Sequence, residues 1–87
     1  MNIQTTRKFD KKSARLPRPI QRAVLERLTL FLENPHHSLL YNHALSGKRK
    51  NQRSINITGD YRLIFEQVDE HTARLLDVDT HHNLYGS

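Results

Sequence analysis

Between Arg53 and Phe65 apolar and polar residues alternate on both sides of a Gly59-Asp60 turn. A period of two is the mark of half-buried strands, so this segment is read as a β-hairpin. The length of its loop decides what the hairpin can pack against. A two-residue loop at Gly59-Asp60 puts Ile55 and Ile57 on the same face as Arg62 and Ile64. A three-residue loop, Thr58 to Asp60, instead collects Ile55, Ile57, Tyr61, Leu63 and Phe65 on one face. Ser54, Asn56 and Arg62 then share the other, polar face. The odd-length loop is preferred because it separates the two kinds of side chain.

A partner for that apolar face lies upstream. Ile20, Val24, Leu28 and Phe31 recur at helical spacing, with Ala23, Leu25 and Leu32 widening the stripe. Pro17 and Pro19 suit the first turn of this helix, and Asn34-Pro35 ends it. A shorter helix, capped by Thr5 or Thr6 and running through Arg15, carries Phe9 and Leu16 on one side. Ile3 to Thr5 reads as a short first strand, and Ala73 to Val78 as a strand following Tyr61 to Val68 around Asp69-Glu70-His71. Short connections between these last strands imply an antiparallel meander. The expected fold class is α+β: two N-terminal helices packed on one face of a small twisted, antiparallel-rich sheet, in one domain spanning residues 1–87.

Composition narrows the function. Hydrophobic residues make up 36% and charged residues 26%, which suits a globular domain rather than a disordered chain. No apolar run approaches a membrane span, and the first residues lack the apolar stretch of a secretory signal. The expected setting is therefore cytoplasmic, with no membrane partner. With no cysteine, disulfides and thiolate metal sites are excluded. No metal-ligand spacing, Gly-rich phosphate loop or nucleophile elbow appears, so neither metal nor cofactor is expected. A net charge of +5 and a pI near 10 favour a polyanionic partner, nucleic acid or an acidic protein segment.

The residues able to do chemistry are dispersed. Arg62, on the polar face of the central strand, offers a rigid fork for a phosphate, though such an arginine also serves in ion pairs. Lys48, Arg49, Lys50 and Arg53 form a basic run ahead of the strands, suited to a phosphate track or simply to a solvated loop. His43 enters that run and His81 follows the last strand. Two imidazoles facing one phosphate can divide the general base and general acid roles. His36, His37, His71 and His82 are assigned to the surface. Asp60 suits a tight turn and also suits orienting a histidine. Tyr61 and Tyr85 are candidates either for the core or for stacking on an unpaired base.

Taken in order, the helices around Pro17 and Pro19, Asn34-Pro35, His43-x-Leu45-x-Gly47, Gly59-Asp60-Tyr61-Arg62-Leu63-Ile64-Phe65 and Thr80-His81-x-x-Leu84-Tyr85-Gly86 resemble the RelE/ParE superfamily of bacterial toxins. The resemblance spans essentially the whole chain and is nearest to the YafQ-like branch of messenger-RNA-cleaving toxins. It implies a RelE-like fold and a type II toxin that cuts messenger RNA, as a rule during translation on the ribosome. It implies that His43 and His81 are the acid–base pair, that Asp60 assists, that Tyr85 fills the aromatic position near the C-terminus and that Arg62 contacts phosphate. RNA contacts are expected from Lys48, Arg49, Lys50, Arg53, Asn56 and Tyr61. Asn56 stands where YafQ-like proteins can carry another histidine, and Tyr61 where they can carry tryptophan. The implied partners are messenger RNA and a cognate antitoxin, acidic and partly disordered when free, with operator DNA bound only as part of the antitoxin complex.

The same fold supports a rival: a ParE-like toxin that poisons DNA gyrase through protein contacts and has no catalytic role. A third reading is a family member that has lost catalysis and binds only antitoxin and operator. A gyrase binder has no use for His43 and His81 together, so the nuclease is preferred. Which histidine is base and which acid is open from the sequence.

Overall fold

The computed structural model describes residues 1–86. Strand β1 (Asn2–Thr5) leads into helix α1 (Arg7–Ala14) and helix α2 (Arg18–Glu33). Strands β2 (His43–Ala44), β3 (Arg53–Asn56), β4 (Tyr61–Asp69) and β5 (Thr72–Thr80) follow, and a third helix, α3 (His81–Tyr85), ends the fold. Single 3₁₀ turns at Ser38–Leu40 and Gly47–Arg49 flank β2. None of the helices among the described residues is long and apolar enough to cross a membrane.

Each helix starts where local chemistry allows it. The Thr6 hydroxyl accepts the Phe9 N–H at 3.2 Å, capping α1, and also donates to the Leu75 carbonyl at 2.9 Å, tying the cap to β5. Helix α2 begins after Pro17 with Pro19 in its first turn, where a missing N–H leaves no bond unmade. It ends at Asn34, which takes an extended conformation before Pro35.

The five strands are ordered β1-β5-β4-β3-β2. Ile55 pairs with Leu63 and Asn56 with Arg62, the register that a loop over Thr58–Asp60 produces. The helix-covered face consequently carries Ile55, Ile57, Leu63 and Phe65, which are buried with Phe9, Val24 and Phe31 of the helices. Phe31 meets Phe65 edge-to-face with ring centroids 5.0 Å apart. Tyr61 packs at the margin of this core.

Two features depart from a simple meander. β1 runs parallel to β5, pairing Asn2 with Thr72 through Thr5 with Leu75, so the sheet is mixed. The β4–β5 register also slips between Ile64–Asp77 and Phe65–Leu75, leaving Leu76 unpaired. That bulge reverses the facing of everything after it. Leu75 and Val78 both point to the core, while Asp77 and Asp79 join Ile64 and Arg62 on the opposite face.

The opposite face is covered in part by α3. The Thr80 hydroxyl caps it by accepting the Asn83 N–H, Leu84 is buried beneath it, and Gly86 closes it in the left-handed region at φ 80°.

Candidate active site

The register alone places three candidate groups side by side. His43 pairs with Ser54 in β2–β3, and Ser54 with Ile64 in β3–β4. The next same-face row, two residues along, is Asn56 with Arg62. Helix α3 then brings His81 and Tyr85, one turn apart, over the same face. The result is a cleft of about 220 Å³ lined by Tyr41, His43, Asn56, Arg62, His81 and Tyr85.

Each histidine in the cleft is braced by a tyrosine. The His81 and Tyr85 rings lie 4.6 Å apart at 62°, and the His81 backbone N–H donates to the Asp60 carbonyl at 2.7 Å. His43 and Tyr41 have ring centroids 4.6 Å apart at 40°. The Tyr41 carbonyl also lies 2.8 Å from His43 Nδ1. A carbonyl can only accept, so Nδ1 carries the hydrogen and the neutral ring keeps its lone pair on Nε2.

Arg62 is half committed. Its Nη1 donates to the carbonyls of Thr58, Gly59 and Tyr61 at 2.9, 3.1 and 3.0 Å, which fastens the guanidinium to the β3–β4 turn. Among the described residues Nε and Nη2 have no partner, and that edge of the fork suits two parallel bonds to a phosphate. Asn56 Oδ1 and Tyr85 Oη, both in the cleft wall, are buried and without a hydrogen-bond partner, as is Ser54 Oγ beneath them.

The other expected residues lie outside this cleft. Asp60 touches His81 only through its carbonyl; its exposed side chain lines a neighbouring cavity with Tyr61, Thr80, His81 and His82. Tyr61 belongs to the helix-covered face, because residues alternate along β4 and Arg62 occupies the other side. Arg53 is turned away for the same reason, and its Nε donates to Asn42 Oδ1 at 2.8 Å. Lys48 and Arg49 line a larger cavity of about 530 Å³ that shares Tyr85 with the cleft. Lys50 is exposed and lines neither.

Arg49 is drawn inward by a group the sequence reading did not single out. Asp77, 3% exposed, is hydrogen-bonded by Lys12 Nζ at 2.7 Å and Lys8 Nζ at 3.1 Å, with Arg49 Nη2 3.9 Å away. Arg49 Nη2 also donates to the Leu84 carbonyl of α3 at 3.4 Å. Lys12 reaches Asp79 as well, at 2.8 Å. Burial works to raise the Asp77 carboxyl, but the hydrogen bonds and charges of Lys12 and Lys8 outweigh it and hold the pKa below the usual carboxylate range. Asp79 is lowered likewise against a burial penalty, by Lys12, Asn83 and the Thr80 N–H. Burial pulls Lys12 down, yet its two carboxylates carry it above the ordinary lysine value. Among the described residues no group of three or more His, Asp or Glu side chains is placed to hold a metal ion.

No protein-family model and no curated protein matches the sequence. Solved structures do. YafQ from E. coli strain BL21(DE3) is 20% identical, with 98% of each chain covered and a TM-score of 0.82. A YoeB/ParE toxin from Agrobacterium tumefaciens is 14% identical over 93% of this chain and 99% of that one, with a TM-score of 0.76. The toxin–antitoxin complex RelBE2 from Mycobacterium tuberculosis matches at 27% identity over 91% of this chain and 95% of that chain, with a TM-score of 0.69. The likeness runs over nearly the whole length of both chains: the chain has the fold of the RelE/ParE toxin superfamily, in its YafQ-like form.

Proposed function

We propose that this protein is the toxin of a type II toxin–antitoxin pair and acts as an endoribonuclease on messenger RNA. The observation that carries this reading is the single cleft lined by His43 and His81, from β2 and α3, together with Arg62. His43 Nε2 takes the proton from a ribose 2′-hydroxyl. The 2′-oxygen attacks the adjacent phosphorus, forming the O2′–P bond as the P–O5′ bond breaks. His81 gives a proton to the departing O5′, leaving a cyclic 2′,3′-phosphate and a 5′-hydroxyl. Arg62, anchored through Nη1, offers Nε and Nη2 to the charge that builds on the phosphate oxygens.

The assignment of His43 as base rests on the Tyr41 carbonyl, which fixes the tautomer of the neutral ring and so directs its lone pair to Nε2. Asp60 acts at one remove, holding the start of α3 through its carbonyl. Lys48, on the cavity that shares Tyr85, continues the phosphate track away from the scissile linkage. The chain's net charge of +5 suits both the RNA and an acidic antitoxin that covers the cleft. The ribosome, with a messenger in translation, is the proposed place of action. The gyrase rival shares the fold but gives the two imidazoles nothing to do.

Induction of the chain in a bacterium, with primer-extension mapping of messenger ends, tests the proposal. Discrete cuts are expected, lost in both His43→Ala and His81→Ala. Growth arrest with intact messages and broken DNA would instead establish the gyrase reading.

A further inference from the structure

The backbone at Tyr41 takes φ 46° and ψ 51°, the left-handed region, which a bulky side chain occupies only when its surroundings impose it. Here they do so from both sides. Leu40, fully buried, fixes the chain before it. Asn42 fixes the chain after it, donating to the Pro35 carbonyl at 2.9 Å and accepting from Arg53 at 2.8 Å. The outcome of this anchoring is a tyrosine left 64% exposed at the rim of the cleft. One aspect of the ring rests against His43 and the remainder is open. Core packing does not explain an exposed ring, and a glycine or asparagine would hold the same turn with less strain.

Building on the nuclease reading above, we infer that Tyr41 is a substrate-binding residue: a stacking platform for the base on the 5′ side of the scissile phosphate. The chemistry places that base. The nucleotide whose 2′-hydroxyl meets His43 Nε2 must lie beside His43, and Tyr41 is the exposed aromatic packed on that imidazole. Tyr85, on His81, occupies the corresponding position across the cleft. Stacking uses a face that every base possesses, so the subsite selects unpaired RNA rather than one letter.

The test uses an oligoribonucleotide spanning a mapped cut, with a 2′-deoxy sugar at the 5′-side nucleotide to prevent cleavage and 2-aminopurine as its base. The intact protein should bind it and quench the fluorescence, and Tyr41→Phe should do the same. Tyr41→Asn, whose side chain tolerates the left-handed backbone, should keep its melting temperature, lose the quenching and bind about 5- to 150-fold more weakly. An abasic site in place of the base should erase the difference between Tyr41→Asn and the parent. Equal binding and quenching by Tyr41→Asn would overturn the inference while leaving the nuclease standing. A loss that persists in full on the abasic strand would also overturn it, since Tyr41 would then act only through His43. Failure of the parent protein both to bind the analogue and to cut messages would defeat the nuclease reading and this inference together.

Discussion

Replacing Asp77 with asparagine removes one charge from the best-connected carboxylate in the molecule while keeping its size and its capacity to accept the Val78 N–H, now 2.9 Å from Oδ1. Its partners are unequally placed. Lys8 has a side chain 65% exposed, so its bond to Asp77 is worth about 0–1 kcal/mol. The Lys12 side chain is only 31% exposed, and a hydrogen bond between charged groups in such a setting contributes about 1.5–3 kcal/mol. Losing one partner of a buried pair can cost about 3–5 kcal/mol, but Lys12 retains Asp79 at 2.8 Å and is not stranded. The expected loss for Asp77→Asn is therefore about 2–3 kcal/mol at pH 7. For a domain of this size that is a fall in Tm of about 10–20 °C.

Urea denaturation followed by circular dichroism at a series of pH values measures both the loss and its cause. Asp77 and Asp79 have folded pKa values depressed below the unfolded carboxylate value of about 3.9. Their contribution is present above that value and is lost as pH falls through the lower, folded ones. The gap between parent and Asp77→Asn should accordingly close below about pH 4. A loss under about 0.5 kcal/mol at pH 7 would show that the cluster behaves as exposed ion pairs, and a gap that stays constant down to about pH 2 would show that the carboxylate charge is not its cause; either result refutes the reasoning.

Phe31→Ala empties a site 1% exposed and removes the edge-to-face contact with Phe65; a cost of about 3–5 kcal/mol should leave the fold marginal in a thermal melt. Arg62→Lys should lose the fork on phosphate and the bonds to the turn carbonyls together, lowering cleavage by about 10²–10³-fold, measured on a mapped RNA, and stability by about 1–2 kcal/mol. Gly86→Ala places a Cβ at φ 80° with open space around it, so about 1–2 kcal/mol of local strain should loosen α3. Hydrogen exchange at Asn83–Tyr85 should rise and cleavage fall while the melting temperature changes little.

The central architecture was legible because it is written in local periodicity. The odd loop at Thr58–Asp60 had one arrangement that buried apolar residues and spared polar ones, and the structure adopts it. Of the α2 stripe, Ile20, Ala23, Val24, Leu28 and Phe31 pack on the core, whereas Leu25 and Leu32, expected to widen it, are exposed and Leu30 packs there instead. The parallel β1–β5 pairing had no such signal: of Asn2-Ile3-Gln4-Thr5 only Ile3 is apolar, and the partner strand lies about seventy residues away. Helix α3 is five residues long, shorter than any segment that holds helix by its own propensity. It exists because Thr80 caps it, Leu84 is buried and Arg49 bonds its last turn. The cap is local, but the burial of Leu84 and the Arg49 bond are tertiary facts that no window of sequence contains.

The site divides along the same line. Residue types pointed to His43, Arg62 and His81, since few side chains do proton transfer or grip a phosphate, and one face of the sheet gathers them. Roles required geometry. Arg53 and Tyr61 look equivalent to Arg62 in a list of basic and aromatic residues, yet a single step along a strand sends each to the other side. Asp77 shows the reverse. Strict alternation from Leu75 would drive its carboxylate into the core beside Leu63 and Phe65. The unpaired Leu76 instead turns it toward Lys8, Lys12 and Arg49. The spacing Ala73, Leu75, Val78 carries the trace of that bulge, because core positions two and then three apart cannot lie on one face of a regular strand. The bulge thereby connects fold to function: it supplies the anion that draws Arg49 inward, and Arg49 in turn holds the helix on which His81 and Tyr85 stand.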